Sequence, residues 1–128
     1  MALSEFQLLR PPNVPHALAI LNKYAGEGAR ATRILAGGTD LLPSMRQKLF
    51  EPEHVLDIRR IPELKGIRET DQGTEIGALT TLHEIEHSEL LRAGYPVLGD
   101  AAKAVASPVL RNMGTIGGNI WMPNKESM

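Results

Sequence analysis

Ile34-Leu35-Ala36-Gly37-Gly38-Thr39-Asp40-Leu41-Leu42-Pro43 runs a strand, a glycine turn and a helix start together without a spacer. Thr32-Arg33-Ile34-Leu35-Ala36 is a short apolar run of strand character, and the glycine pair ends it. A short helix is expected over 41–49, with Pro43 in its first turn, where a proline is tolerated. Upstream, Phe6-Gln7-Leu8-Leu9-Arg10 reads as a strand halted by Pro11-Pro12. Asn13 is a helix-cap candidate, and Val14, Ala17, Leu18, Leu21 and Ala25 follow at helical spacing until Gly26 and Gly28. Downstream, Val55-Leu56-Asp57-Ile58 is a third strand. The order strand–helix–strand–helix–strand predicts a small parallel sheet with right-handed crossovers.

The second half reads differently. Residues 65–70 and 74–78, joined at Asp71-Gln72-Gly73, form a hairpin pattern. Thr81-Leu82-His83-Glu84 has the form of a capping box and opens a helix to about Leu91. Another helix is expected over 97–106, broken by Ser107-Pro108. The fold class is therefore α/β (α+β). The tail, 121–128, follows a glycine segment that reads as leading into a further element, so a domain incomplete at its C-terminal end is expected.

Composition narrows the function classes. The chain has 128 residues, enough for one domain with a real core. Lys plus Arg number 14 against 15 Asp plus Glu, a net charge of -1, so no basic excess serves a nucleic-acid backbone or an anionic membrane. Aromatic residues are 4%, which leaves few stacking platforms for single strands. Cysteine is absent, which excludes disulfides, iron–sulfur clusters and thiolate zinc sites built by these residues. The start, MALSEFQLLRPPNVP, lacks the basic and apolar regions of a secretory signal, and no apolar run approaches a membrane span. A cytoplasmic location is the expectation.

Two glycine segments and one histidine pair carry the candidate chemistry. In Ala36-Gly37-Gly38-Thr39-Asp40-Leu41 the glycines let backbone amides approach a phosphate, the helix start adds favourable partial charge, and Thr39 offers a hydroxyl. The plain alternative is a tight turn with Asp40 capping the helix. Gly114-Thr115-Ile116-Gly117-Gly118-Asn119 repeats the pattern of paired glycines beside a hydroxyl, with an ordinary loop as its plain alternative. Together they suggest a two-sided diphosphate clamp. Neither is a Walker loop or a G-x-G-x-x-G fingerprint. His83-Glu84-Ile85-Glu86-His87 satisfies H-E-x-x-H, but no third ligand stands at the usual spacing and the capping box accounts for Glu84. Ser44, Ser88, Ser107 and Ser127 lie in no nucleophile elbow, and Asp57 with Arg59 and Arg60 reads as a strand end with a charged rim.

The two glycine segments, in this order, resemble a known signature. With Val55-Leu56-Asp57-Ile58, Ile61-Pro62-Glu63-Leu64 and Glu75-Ile76-Gly77-Ala78-Leu79-Thr80-Thr81 between them, the chain resembles the FAD-binding subunit of the molybdenum hydroxylases. That family includes xanthine dehydrogenase, the medium subunit of aerobic carbon monoxide dehydrogenase and 4-hydroxybenzoyl-CoA reductase. The resemblance implies the N-terminal part of a PCMH-type (vanillyl-alcohol-oxidase-like) FAD-binding domain over 1–128. Residues from 1 to about 60 would be a first α/β subdomain with a small parallel sheet, and those from about 61 to 128 the start of an incomplete second one, with the flavin between them.

The resemblance also implies the site. Leu35, Ala36, Gly37, Gly38, Thr39, Asp40 and Leu41 would bind the FAD diphosphate, chiefly through backbone amides. Thr115, Ile116, Gly117, Gly118 and Asn119 would hold the diphosphate and adenosine side near the isoalloxazine. Val105 stands where some relatives carry an aromatic residue. No catalytic residue and no metal ligand is implied on this chain, because the redox chemistry is the flavin's. Electrons would arrive from a molybdopterin-binding large subunit through the 2Fe–2S clusters of a small subunit and leave to an acceptor such as NAD or oxygen; in the aryl-CoA reductases the flow is reversed. The chain would thus be the flavoprotein part of a heteromeric oxidoreductase and inactive alone. The alternative is a truncated, non-enzymatic remnant or subunit-docking module without flavin. A self-contained flavoenzyme would need a substrate domain.

Overall fold

A computed structural model of the chain describes residues 2–28 and 31–121. Residues 122–128, which make up all but the first residue of the tail on which an incomplete domain is expected, lie outside the described residues. The chain divides into two compact units, Met1–Glu63 and Leu64–Met128.

The first unit is built on three parallel strands, β1 (Gln7–Leu9), β2 (Thr32–Leu35) and β3 (His54–Asp57), in the order β1-β3-β2. The central strand is the most buried: Val55, Leu56 and Asp57 are all within 2% of complete burial. That follows from its apolar run and from having a neighbour on each side. Leu9 pairs with Leu56 and Leu35 with Asp57, so all three strands end at one edge. Helix α1 (Val14–Tyr24) joins β1 to β2, and the Asn13 side chain caps it by accepting from the His16 amide at 2.8 Å. Helix α2 (Leu41–Arg46) joins β2 to β3 and is shorter than the sequence suggested. Lys48 adopts φ 60, Leu49 N donates to Ser44 O at 2.9 Å, and Lys48 N donates to Met45 O at 3.1 Å. This is a Schellman stop without its usual glycine. Leu35, Met45 and Val55 form the core, with Phe6, Leu41, Leu42 and Phe50 packed around it.

The second unit opens with the antiparallel hairpin β4 (Ile67–Thr70) and β5 (Gly73–Ile76). Short helices follow: α3 (Leu82–Glu86), α4 (Glu89–Gly94), α5 (Pro96–Lys103), α6 (Pro108–Met113) and α7 (Ile116–Trp121). Their core is Leu82, Ile85, Leu91 and Ala102, flanked by Ile67, Ile76, Leu98, Val105 and Ile116. Gly77 lies so close to Leu64 that a Cβ would strike the Leu64 carbonyl; Leu79 N donates to that same carbonyl at 2.7 Å.

Four expectations need correction, and hydroxyl caps explain two of them. The single helix expected up to Leu91 is two, because Ser88 Oγ accepts from Leu91 N at 3.2 Å and starts α4. The helix expected over 97–106 ends at Lys103. Ser107-Pro108 does more than break it: Ser107 caps α6 and Pro108 occupies its first turn. The second glycine segment is not a loop, since Gly117, Gly118 and Asn119 lie inside α7.

Candidate functional site

The first glycine segment leaves β2 at Leu35 and enters α2 at Leu41. Gly38 has φ 78, a conformation that favours glycine. Its carbonyl accepts from Leu42 N at 3.2 Å, and the Asp40 carbonyl accepts from Ser44 N at 3.1 Å. The helix thus consumes carbonyls and leaves donors over. Among the described residues the amides of Gly37, Gly38, Thr39, Asp40 and Leu41 have no hydrogen-bond partner. The expected Asp40 cap is not formed: Asp40 is in helical geometry and its side chain makes no cap bond. Successive unpaired amides at a strand-to-helix turn are the donor set that an anionic phosphate satisfies.

The second segment is wired differently. Thr115 is buried and bridges to Thr81. Ile116 N donates to Thr80 O and Gly117 N to Ala78 O, both at 2.9 Å. Gly118 N donates to Thr115 Oγ1 at 3.2 Å and Asn119 N to Thr115 O at 3.0 Å. These four amides are therefore spent within the second unit. Gly117 is required by packing, because a Cβ there would lie 2.8 Å from Ala78 O. Gly118 and Asn119 are exposed, so the bare Cα of one and the side-chain amide of the other remain for a ligand.

The other named residues serve the cores with their side chains. Leu35 is buried in the first core and Leu41 packs beside it; Val105 and Ile116 pack against the second. Only their backbones, or in Ala36 and Thr39 half-buried small side chains, stay in reach of a ligand. The Val105 carbonyl is itself engaged, accepting from Arg111 Nη1 at 3.0 Å.

In the H-E-x-x-H segment, Thr81 Oγ1 accepts from Glu84 N at 3.1 Å, which places Glu84 in the cap. His83 and His87 lie with ring centroids 4.2 Å apart, and His87 Nδ1 is 2.9 Å from the His83 carbonyl oxygen. The carboxylate beside them is Glu86, whose Oε2 is 3.4 Å from Arg111 Nε.

One cluster exceeds its sequence reading. Asp57 is 2% exposed and accepts from Arg59 Nε at 2.9 Å, Arg59 Nη2 at 2.8 Å and Arg59 N at 3.0 Å. Arg10 Nε stands 3.5 Å from the same carboxylate. The Arg59 hydrogen bonds hold the Asp57 carboxyl below the usual carboxylate range against the opposing effect of burial, and the pairing raises Arg59 in turn. The only sequence signal was a carboxylate two residues before an arginine at the end of an apolar strand.

Comparison with known proteins agrees with this architecture. A family model described as the FAD binding domain in molybdopterin dehydrogenase matches residues 4–127. The carbon monoxide dehydrogenase medium chain of Hydrogenophaga pseudoflava is 43% identical over 115 residues, covering 90% of this chain and 39% of that protein. The glyceraldehyde dehydrogenase medium chain of Sulfolobus acidocaldarius is 36% identical over 116 residues, covering 91% of this chain and 40% of that one. A solved structure of carbon monoxide dehydrogenase from Hydrogenophaga pseudoflava superimposes with a TM-score of 0.87 at 42% identity, over 94% of this chain and 40% of that one. The chain thus spans about 40% of the length of the relatives it matches. Among the described residues no helix is long and apolar enough to cross a membrane.

Proposed function

The chain belongs to the family of FAD-binding domains of molybdopterin dehydrogenases, and from that premise we propose that it binds FAD for electron transfer in a molybdenum-containing hydroxylase complex. The observation that carries this is the run of unpaired amides over residues 37–41, at a turn that glycine keeps open. Each hydrogen bond from such an amide to a charged phosphate is worth about 1.5–3 kcal/mol, so a few of them suffice for tight binding. Thr39 adds a hydroxyl donor, and the exposed Gly118 and Asn119 give the second segment a close approach and a side-chain amide. Leu35 and Leu41 anchor the backbone of the first segment in the core of the first unit, and Val105 and Ile116 pack at the core of the second.

When bound, FAD supplies reversible electron uptake and release. The protein's part is to hold the diphosphate, fix the orientation of the cofactor and tune it by local charge. The chain is the flavin-binding part of an assembly with a molybdopterin-binding large subunit and a 2Fe–2S small subunit in the cytoplasm. The substrate is chosen elsewhere in that assembly: the relatives named above carry the names of dehydrogenases for chemically unrelated substrates. Alone, the chain has no turnover. Equilibrium titration with FAD, followed by flavin fluorescence, tests the reading. Saturable one-to-one binding is expected, abolished by Gly37→Val and Gly118→Val with helical content unchanged; flavin retained by both variants overturns the assignment.

A further inference from the structure

The edge of the first unit's sheet that carries the glycine turn also carries the arginine cluster. Leu35 and Asp57 are register partners, so Gly37 and Arg59 each lie two residues beyond the same rung. Leu9 pairs with Leu56, which puts Arg10 one residue past its rung, beside Asp57. Adjacent strands are about 4.8 Å apart, so the Arg59 end of β3 lies beside the glycine turn on one side and beside Arg10 on the other, with β1 and β2 about 10 Å apart across it. They form the C-terminal edge of a parallel sheet, the side on which open α/β sheets bind ligands.

The chemistry of the cluster is lopsided. Two guanidiniums face one carboxylate, which leaves the cluster itself with a net positive charge beside the exposed Asp40 of the turn. Each guanidinium has five N–H donors. Arg59 commits its Nε and one Nη2 hydrogen to Asp57, and Arg10 approaches through Nε alone. The side chains of Arg59 and Arg10 are 53% and 45% exposed, so donors not used on Asp57 remain accessible. Asp57 is buried and orients the fork of Arg59, which a solvated arginine would lack.

We propose that Arg59 and Arg10, oriented by buried Asp57, supply the side-chain cation for a phosphoryl group held on the amides of the adjacent glycine turn. The ligand group is a diphosphate, and its assignment to FAD rests on the function proposed above. Asp57 is a positioning residue; the two arginines contact the anion.

The test compares the parent chain with Arg10→Gln/Arg59→Gln, and with Arg10→Gln alone should the double variant lose its circular dichroism. Each is titrated with FAD, riboflavin and inorganic pyrophosphate at low and moderate salt. Affinity for FAD and pyrophosphate should fall ~10-fold or more in the double variant, as loss of a charge-assisted bond implies, while riboflavin binding is unchanged. The salt dependence of FAD binding should weaken with it. A folded variant that binds FAD as the parent does overturns this inference and leaves the FAD reading standing. Arginine-dependent binding of pyrophosphate by a parent that ignores FAD supports the anion site and refutes the FAD reading. A parent that binds neither refutes both.

Discussion

Gly117 and Gly118 are adjacent and look equivalent in sequence, yet replacing each with alanine should have very unequal consequences. At Gly117 a Cβ would stand 2.8 Å from Ala78 O and 2.9 Å from Ala78 Cβ. Both contacts are closer than a real Cβ tolerates, and one is to backbone that cannot swing away. Relief requires moving α7 off residue 78, which weakens the Gly117 N to Ala78 O bond. Overpacking costs about 1–3 kcal/mol and a weakened hydrogen bond about 1 kcal/mol, so Gly117→Ala should lose about 2–4 kcal/mol. For a domain of this length that is a fall in Tm of roughly 7–15 °C. At Gly118 the nearest atom is Thr115 Oγ1 at 3.1 Å, a side-chain oxygen that can yield slightly. Alanine favours a helix over glycine by about 1 kcal/mol, which offsets that crowding, so Gly118→Ala should change stability by less than about 1 kcal/mol. Urea unfolding of the parent and both variants measures this directly. Equal losses in the two variants, or a Gly117→Ala variant as stable as the parent, would refute the packing role assigned to Gly117.

Other perturbations separate the remaining claims. Gly38→Ala forces alanine to φ 78 with its Cβ 3.1 Å from side-chain atoms of Leu35 and Leu42, so it should destabilise by about 1–2 kcal/mol and weaken FAD binding in the same titration. Asp57 is held below its ordinary value of 3.8, so its contribution is present above that pH and is lost as pH falls through the lower folded value. Acid unfolding of Asp57→Asn should therefore lack that part of the parent's decline below about pH 4, and the variant should be less stable at pH 7 by about 1–3 kcal/mol. Thr81→Ala removes the α3 cap and should cost about 1 kcal/mol in thermal unfolding. Replacing His83 and His87 with alanine should leave both flavin binding and metal content unchanged; loss of stoichiometric zinc from the double variant, measured by elemental analysis, would reverse the reading of that pair.

What the sequence made legible was whatever a local pattern controls. The three parallel strands, the Asn13 cap and the hairpin after Lys65 follow from apolar runs, turn residues and capping chemistry within a few residues. The helix boundaries were harder, because Ser88 and Ser107 are equally at home inside a helix surface or starting a new one, and only the packed chain decides. The two glycine segments show the limit most clearly. Both present a glycine pair beside a threonine, but the first exposes its amides while the second satisfies them on Thr80, Ala78 and Thr115. For Ile116 and Gly117 that difference depends on partners 36 and 39 residues upstream, which no local spacing reveals. Asp57 and Arg10 meet only because β1 and β3 are neighbours in a sheet whose order differs from the order of the chain.

The central claim is that the amides of residues 37–41 take the diphosphate. Amide hydrogen exchange of the chain with and without saturating FAD reads those groups individually. Strong protection of Gly37, Gly38, Thr39, Asp40 and Leu41 on adding FAD, with little change at Ile116 and Gly117 whose amides are already bonded, is the predicted result. Exchange at residues 37–41 that stays as fast with FAD bound as without it would contradict the account.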